Sequence, residues 1–106
     1  MLLQLNVATY NRPKIAIESL KKLLIARDLF PNDISIACSS NSVEDSLKNF
    51  CDTNDIIYNE FKTNQGGVKN GKYLVQNSNA KYCMALSDED SISPSAELVG
   101  DFLSFL

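Results

Sequence analysis

The chemistry of this sequence lies in its oxygen donors. Ser87-Asp88-Glu89-Asp90 sets two aspartates one residue apart, directly after the apolar run Tyr82 to Leu86. On a turn leaving a strand, both carboxylates can face one point. They suit a hard cation, Mn²⁺ or Mg²⁺, which binds oxygen and keeps positions open for phosphate oxygens. Such a metal neutralises a diphosphate and stabilises it as a leaving group. The plainer reading is a solvated acidic turn capping the next helix, since Asp is common before helix starts. The position behind a buried strand favours the metal.

Competing motifs fail on spacing. With Asp88 as position 1 of an EF-hand loop, position 6 is Ser93 rather than Gly and position 12 is Val99 rather than Glu. Asn64-Gln65-Gly66-Gly67-Val68-Lys69-Asn70 lacks the second glycine and the Gly-Lys-Ser/Thr ending of a phosphate loop. Its lysine and amides at a helix start can still approach an anion; a plain turn is the other reading, and both stay open. No histidine is present, which excludes His-based triads and most zinc sites.

The elements that must position these groups follow from the hydrophobic pattern. The chain has 106 residues, enough for one domain, with 44% hydrophobic and 22% charged residues, as in ordinary globular proteins. Its net charge is −3 with no basic block, which argues against nucleic acid as a partner. The N-terminus has neither the basic region nor the long apolar core of a signal peptide or membrane span, so a cytoplasmic location is expected. Cys38 and Cys83 sit in apolar runs and read as reduced core residues.

Short apolar runs alternate with helix-period segments, the pattern of strands joined by crossover helices. Leu2 to Ala8 is the first strand, and Arg12-Pro13 opens a helix whose apolar face is Ile17, Leu20 and Leu24. Ile34 to Cys38 is the second strand. Ser42 and Asp45 then resemble a capping box for a helix burying Val43, Leu47 and Phe50. Ile56 to Tyr58 is a short third strand. The turn at Asn64-Gln65-Gly66-Gly67 leads into a helix from about Val68 to Ser78. Tyr82 to Leu86, continuously apolar, is expected to be central and covered on both faces. Ser93-Pro94 starts a last helix ending at Leu106. The expected fold is therefore α/β: a Rossmann-like, mostly parallel open sheet of about four strands with helices on both faces. Three polar segments, Thr9-Tyr10-Asn11, Ser39 to Ser42 and Ser87 to Asp90, meet at its carboxyl rim, where such sheets bind ligands.

In that order and spacing these residues resemble the nucleotide-binding half of a family 2 glycosyltransferase with the GT-A fold. The likeness rests on Val7-Ala8-Thr9-Tyr10-Asn11-Arg12-Pro13, the Ser/Asn-rich turn after the second strand, Asn64-x-Gly66, and Tyr82 to Asp90 with Pro94 downstream. It implies that Ala8, Thr9 and Asn11 line the base and ribose pocket, and that Ser39 stands where the family usually has a base-contacting Asp. Lys69 or Asn70 would face the nucleotide. Asp88 and Asp90 would be the ends of a DxD motif, Asp90 the more direct ligand of Mn²⁺ or Mg²⁺ and Asp88 nearer the ribose or sugar. The implied donor is a nucleoside-diphosphate sugar, and in a full-length enzyme the acceptor is a glycan or lipid-linked molecule.

Two departures matter. Ser39 in place of an acid weakens the case for uracil as the base. Family members are considerably longer, with acceptor site and catalytic carboxylate beyond the DxD turn, whereas Glu97 and Asp101 fall on the expected last helix. The chain is thus expected to be the donor-binding part of an inverting enzyme, truncated and lacking the base, with its catalytic residue unknown. Leu98, Val99, Phe102, Leu103, Phe105 and Leu106 make the last helix apolar almost all round, so it must pack across the sheet or mediate homo-oligomers. Two rivals remain. A nucleotidyltransferase-like α/β domain would want a basic, glycine-rich loop after the first strand. A non-catalytic interaction module of receiver type would want acids there, where this chain has Leu5-Asn6-Val7-Ala8.

Overall fold

The computed structural model describes residues 2–88, Ser87 by its backbone alone. Along them alternate β1 (Leu3–Thr9), α1 (Pro13–Leu29), β2 (Ile34–Ser40), α2 (Asp45–Thr53), β3 (Ile57–Glu60), α3 (Gly67–Gln76) and β4 (Tyr82–Ser87). The strands form one parallel sheet in the order β3-β2-β1-β4. This is the open α/β sheet that the strand–helix alternation predicts. Among the described residues, no helix is long and apolar enough to cross a membrane.

The order of strands decides where the helices lie. Parallel crossovers are right-handed. The steps β1 to β2 to β3 run in one direction, so α1 and α2 share a face and pack on each other. The return from β3 to β4 runs the other way and places α3 on the opposite face. Side-chain alternation agrees. Leu3, Leu5 and Val7 point into one cluster with Ala16, Leu20 and Leu23 of α1 and Leu47 and Cys51 of α2. Gln4, from the other side of β1, donates from Nε2 to the Leu74 carbonyl of α3 at 3.4 Å. The direction therefore reverses between β1 and β4, and in such sheets that crevice is the ligand site.

The two faces differ in size and polarity. Pairing sets Gln4 beside Ser35 and Cys83, Asn6 beside Ala37 and Ala85, and Ala8 beside Ser39. Gln4 and Asn6 are only 3% exposed, and Gln4 Nε2 donates to Asn6 Oδ1 at 2.6 Å. Asn6 Nδ2 is buried without a partner.

Several local expectations need correction. β4 is not central among the described residues: it pairs with β1 alone, Tyr82 is 38% exposed, and Ala85 is exposed too. Among the described residues the inner strands are β2 and β1, and in β1 Gln4 and Asn6 break the apolar run yet are buried. An unbroken apolar run therefore does not identify the middle strand. The capping box at Ser42 does not form either. Helix α2 begins at Asp45 behind Glu44, and Ser42 Oγ instead donates to Glu44 Oε1 at 3.0 Å. Val43 is left 53% exposed ahead of the helix. Cys38 is fully buried, as is Cys51, whereas Cys83 is half-buried. The expected last helix, with Glu97 and Asp101, lies outside the described residues.

Candidate functional site

At the carboxyl end of the sheet, above the β1/β4 crevice, lies a cavity of about 270 Å³. That is near the lower end of small-molecule sites, which run roughly 300–1,000 Å³. Its walls come from four places: Ala8, Thr9, Tyr10 and Arg12 at and just after the end of β1, Asn41 after β2, Asn64, Gly66, Gly67 and Asn70 around the start of α3, and Asp88 after β4.

Asp88 is the acid on this wall and is 3% exposed. Its Oδ2 accepts from the Thr9 hydroxyl at 2.5 Å, and its Oδ1 accepts from Arg12 Nη2 at 2.8 Å. The Ser19 hydroxyl of α1 donates to the Asp88 carbonyl at 3.1 Å. A buried carboxylate is costly unless paired and hydrogen-bonded, and here both oxygens are satisfied. The Arg12 side chain keeps 35% exposure against 2% for Asp88, so the guanidinium reaches inward from the rim. Arg12 stands at the N-cap of α1 without a capping side-chain bond. The preceding Asn11 takes a left-handed backbone, φ 55°, which Asn tolerates better than most residues.

The other side of the cavity is built by asparagines. Asn41, 3% exposed, donates from Nδ2 to the Gly66 carbonyl at 3.1 Å and accepts from the Gln65 amide at 3.0 Å. Asn64 Oδ1 accepts from the Gly66 amide at 2.9 Å. Gly66 caps α3 at φ 88° and ψ 153°, a conformation that only glycine adopts freely. The start of α3 thus lines the cavity with no acid in its first turn, a favourable electrostatic setting for an anion. Asn70 Nδ2 donates to the carbonyls of Thr9 at 3.2 Å and Ser39 at 3.0 Å, while its buried Oδ1 has no partner.

Of the residues expected at a nucleotide site, the fold brings Ala8, Thr9, Asn70 and Asp88 together on this wall. Three others stand off it. Ser39 is fully buried, and its hydroxyl accepts from Asn59 Nδ2 at 2.9 Å, so it locks β2 to β3. Lys69 is exposed and turns its Nζ back to Gln65 Oε1 at 3.0 Å. Asn11 is exposed, its amide held by Ser42 Oγ at 3.0 Å. Asp90 lies outside the described residues.

Arg12 had no place among the expected ligand contacts, and Asn41 and the Gly66-Gly67 pair lay in segments expected near the ligand without being singled out themselves. Asn41 lay inside a turn already singled out as polar, but its 24-residue reach to Gln65 leaves no local signature. Arg12 looked like a mere helix opener.

Whether the wall suits a hard cation follows from its chemistry. Asp88, the Thr9 hydroxyl and the orphaned Asn70 carbonyl are oxygen donors, and the carboxylate already holds one cationic group. That set fits Mn²⁺ or Mg²⁺ in kind. Among the described residues no three His, Cys, Asp or Glu side chains gather, so Asp88 by itself would be one ligand of several.

No protein-family model matches the chain, and no curated protein sequence matches it significantly. Solved structures do. The chain superposes on Staphylococcus aureus TarS, a family 2-like glycosyltransferase, with a TM-score of 0.81 at 19% identity. The match covers 99% of this chain and 19% of that one. Against TarS 1–349 the TM-score is 0.79 at 18% identity, covering 99% and 32%. Against TarS 1–349 in complex with UDP it is 0.78 at 20% identity, again covering 99% and 32%. The chain has the GT-A fold. It spans about a third or less of the TarS chains it matches.

Proposed function

We infer that the cavity is the donor site of an inverting glycosyltransferase, binding a nucleoside-diphosphate sugar together with Mn²⁺ or Mg²⁺. The observation that carries this reading is the buried Asp88 carboxylate, held by Thr9 and Arg12 in a cavity that the acid-free start of α3 also lines. Diphosphate and cation need that opposition of charges within one cavity. A solved structure of the same fold in complex with UDP supports it.

In this reading Ala8, Thr9, Asn70 and Asp88 touch the donor. Asn11 and Lys69 flank the contacts, and Ser39 supports them from beneath. Asp88 and Asp90 hold the metal, whose chemistry is to take up charge on the departing diphosphate. The acceptor, a glycan or lipid-linked molecule, and the carboxylate base that deprotonates it would lie in a part of the enzyme beyond these 106 residues. The chain itself then binds donor without transferring sugar.

Titration calorimetry with UDP, GDP and CDP, with and without Mn²⁺, tests this. Metal-dependent binding that is lost in Asp90→Ala and weakened in Asp88→Ala is expected. Absence of binding to all three nucleotides would leave a non-catalytic interaction module as the better description.

A further inference from the structure

We propose that Arg12 is a built-in counter-cation for Asp88 that exchanges with the divalent ion, and that on exchange its guanidinium passes to the ligand's phosphates. This rests on the donor-site reading and adds a positioning residue to it.

The geometry is asymmetric in a way that suits exchange. The carboxylate is fixed: Thr9 binds one oxygen, Ser19 holds the Asp88 backbone, and the side chain is 2% exposed. The guanidinium is the accessible partner, 35% exposed, on a long side chain rooted at the first turn of α1. Both residues face the same cavity. A buried carboxylate stripped of its counter-charge is strongly unfavourable, so Arg12 leaves Asp88 only when another cation takes its place. A divalent ion on Oδ1 would lie within a few ångströms of the guanidinium, and the two positive charges repel. Arg12 must then swing away, and a diphosphate in the cavity offers the partner its planar fork fits best.

Three consequences follow. Metal alone binds weakly, because it must first displace Arg12. Metal with diphosphate binds better than the separate affinities suggest, because the displaced guanidinium gains a new anion. Without metal, the carboxylate remains neutralised, and the empty cavity keeps its fold.

The decisive measurement is Mn²⁺ affinity without nucleotide, read as free Mn²⁺ by electron paramagnetic resonance, for the 106-residue chain and for Arg12→Gln. Loss of a merely structural arginine would lower the affinity. Exchange requires it to rise, by about tenfold. In Arg12→Gln the affinity for UDP in the presence of Mn²⁺ should fall, and the boost that each ligand gives the other should shrink towards none. Should Arg12→Gln fold poorly, Arg12→Lys keeps the charge. It should retain weak metal-only binding, while losing UDP affinity because an ammonium lacks the fork. Equal Mn²⁺ affinity in the wild type and Arg12→Gln, with UDP binding intact, would overturn the exchange and leave the donor site standing. Failure of UDP to bind at all would remove both.

Discussion

Asn70 is joined to Thr9 across 61 residues: its Nδ2 lies 3.2 Å from the Thr9 carbonyl and also reaches the Ser39 carbonyl at 3.0 Å. One side chain therefore ties the start of α3 to the ends of both inner strands, where the cavity opens. Truncation in Asn70→Ala removes both hydrogen bonds, although the Thr9 carbonyl keeps the Asn41 amide at 2.9 Å. Each lost hydrogen bond costs about 0.5–1.5 kcal/mol. A loss of about 1–3 kcal/mol in urea unfolding is expected, with weaker UDP binding than any change at Lys69 produces. A stability change below about 0.5 kcal/mol would mean those bonds are replaced by water.

Adjacent glycines at the start of α3 should respond oppositely. Gly66 has a left-handed φ of 88°, and nothing lies within 4 Å of the place an added methyl would occupy, so Gly66→Ala would be strained by its backbone alone. Such strain costs about 1–3 kcal/mol. Gly67 lies in the helix with equally open surroundings, and Gly67→Ala should stabilise by about 0.4–1 kcal/mol. Thermal melts of the two variants should move in opposite directions.

Alkali should destabilise the fold through two acids kept protonated inside it. The Cys38 thiol is pushed up by its hydrogen bond with Cys51, then by burial. The Tyr58 hydroxyl is pushed up by burial and then by its bond to Glu60 Oε1 at 3.0 Å. The unfolded chain releases these protons first, the folded state binds more of them, and stability falls as pH rises. The window opens near the ordinary values, about 8.5 for the thiol and about 10 for the phenol, and neither group contributes slope at neutral pH. Urea midpoints from pH 7 to 11 should fall above about pH 8.5. In Tyr58→Phe the fall above about pH 10 should be shallower.

Cys51 offers a control on the site. It is fully buried against α1 and the sheet, on the face away from α3. Cys51→Ser puts a hydroxyl into an apolar cluster and should lower stability by about 1–3 kcal/mol. UDP affinity, measured where the variant remains folded, should not change. A matching loss of affinity would mean that the cluster and the cavity are coupled.

What the sequence disclosed depended on how local the signal was. Strand–helix alternation, the Pro13 helix start and the turn before α3 are written in neighbouring residues, and all three are found in the fold. The convergence of Thr9, Asn41 and Asp88 on one rim followed once parallel crossovers were assumed, because each ends or follows a strand, whereas Asn70 was suggested by the family resemblance alone. What Arg12 and Asn41 bind was hidden because their partners, Asp88 and Gly66, lie 76 and 25 residues away. The partner of Ser39 was not legible either: the resemblance fixed its place in the chain, whereas Asn59 on the neighbouring strand donates to its hydroxyl. The rank of β4 in the sheet was illegible for a related reason, since an apolar run records burial propensity rather than the number of neighbours.

The small-residue face of the sheet makes the cavity adjustable from a distance. α3 rests above Asn6, Ala8 and Ala37, and it carries Gly66 and Asn70 at its leading end. Adding bulk at Ala37 would act as a wedge beneath that helix, tilting the asparagine and the glycine turn without altering any group a ligand meets. Ligand preference in this architecture can therefore drift through hidden shims, while Leu3, Leu5, Ile34 and Ile36 on the opposite side keep the domain folded.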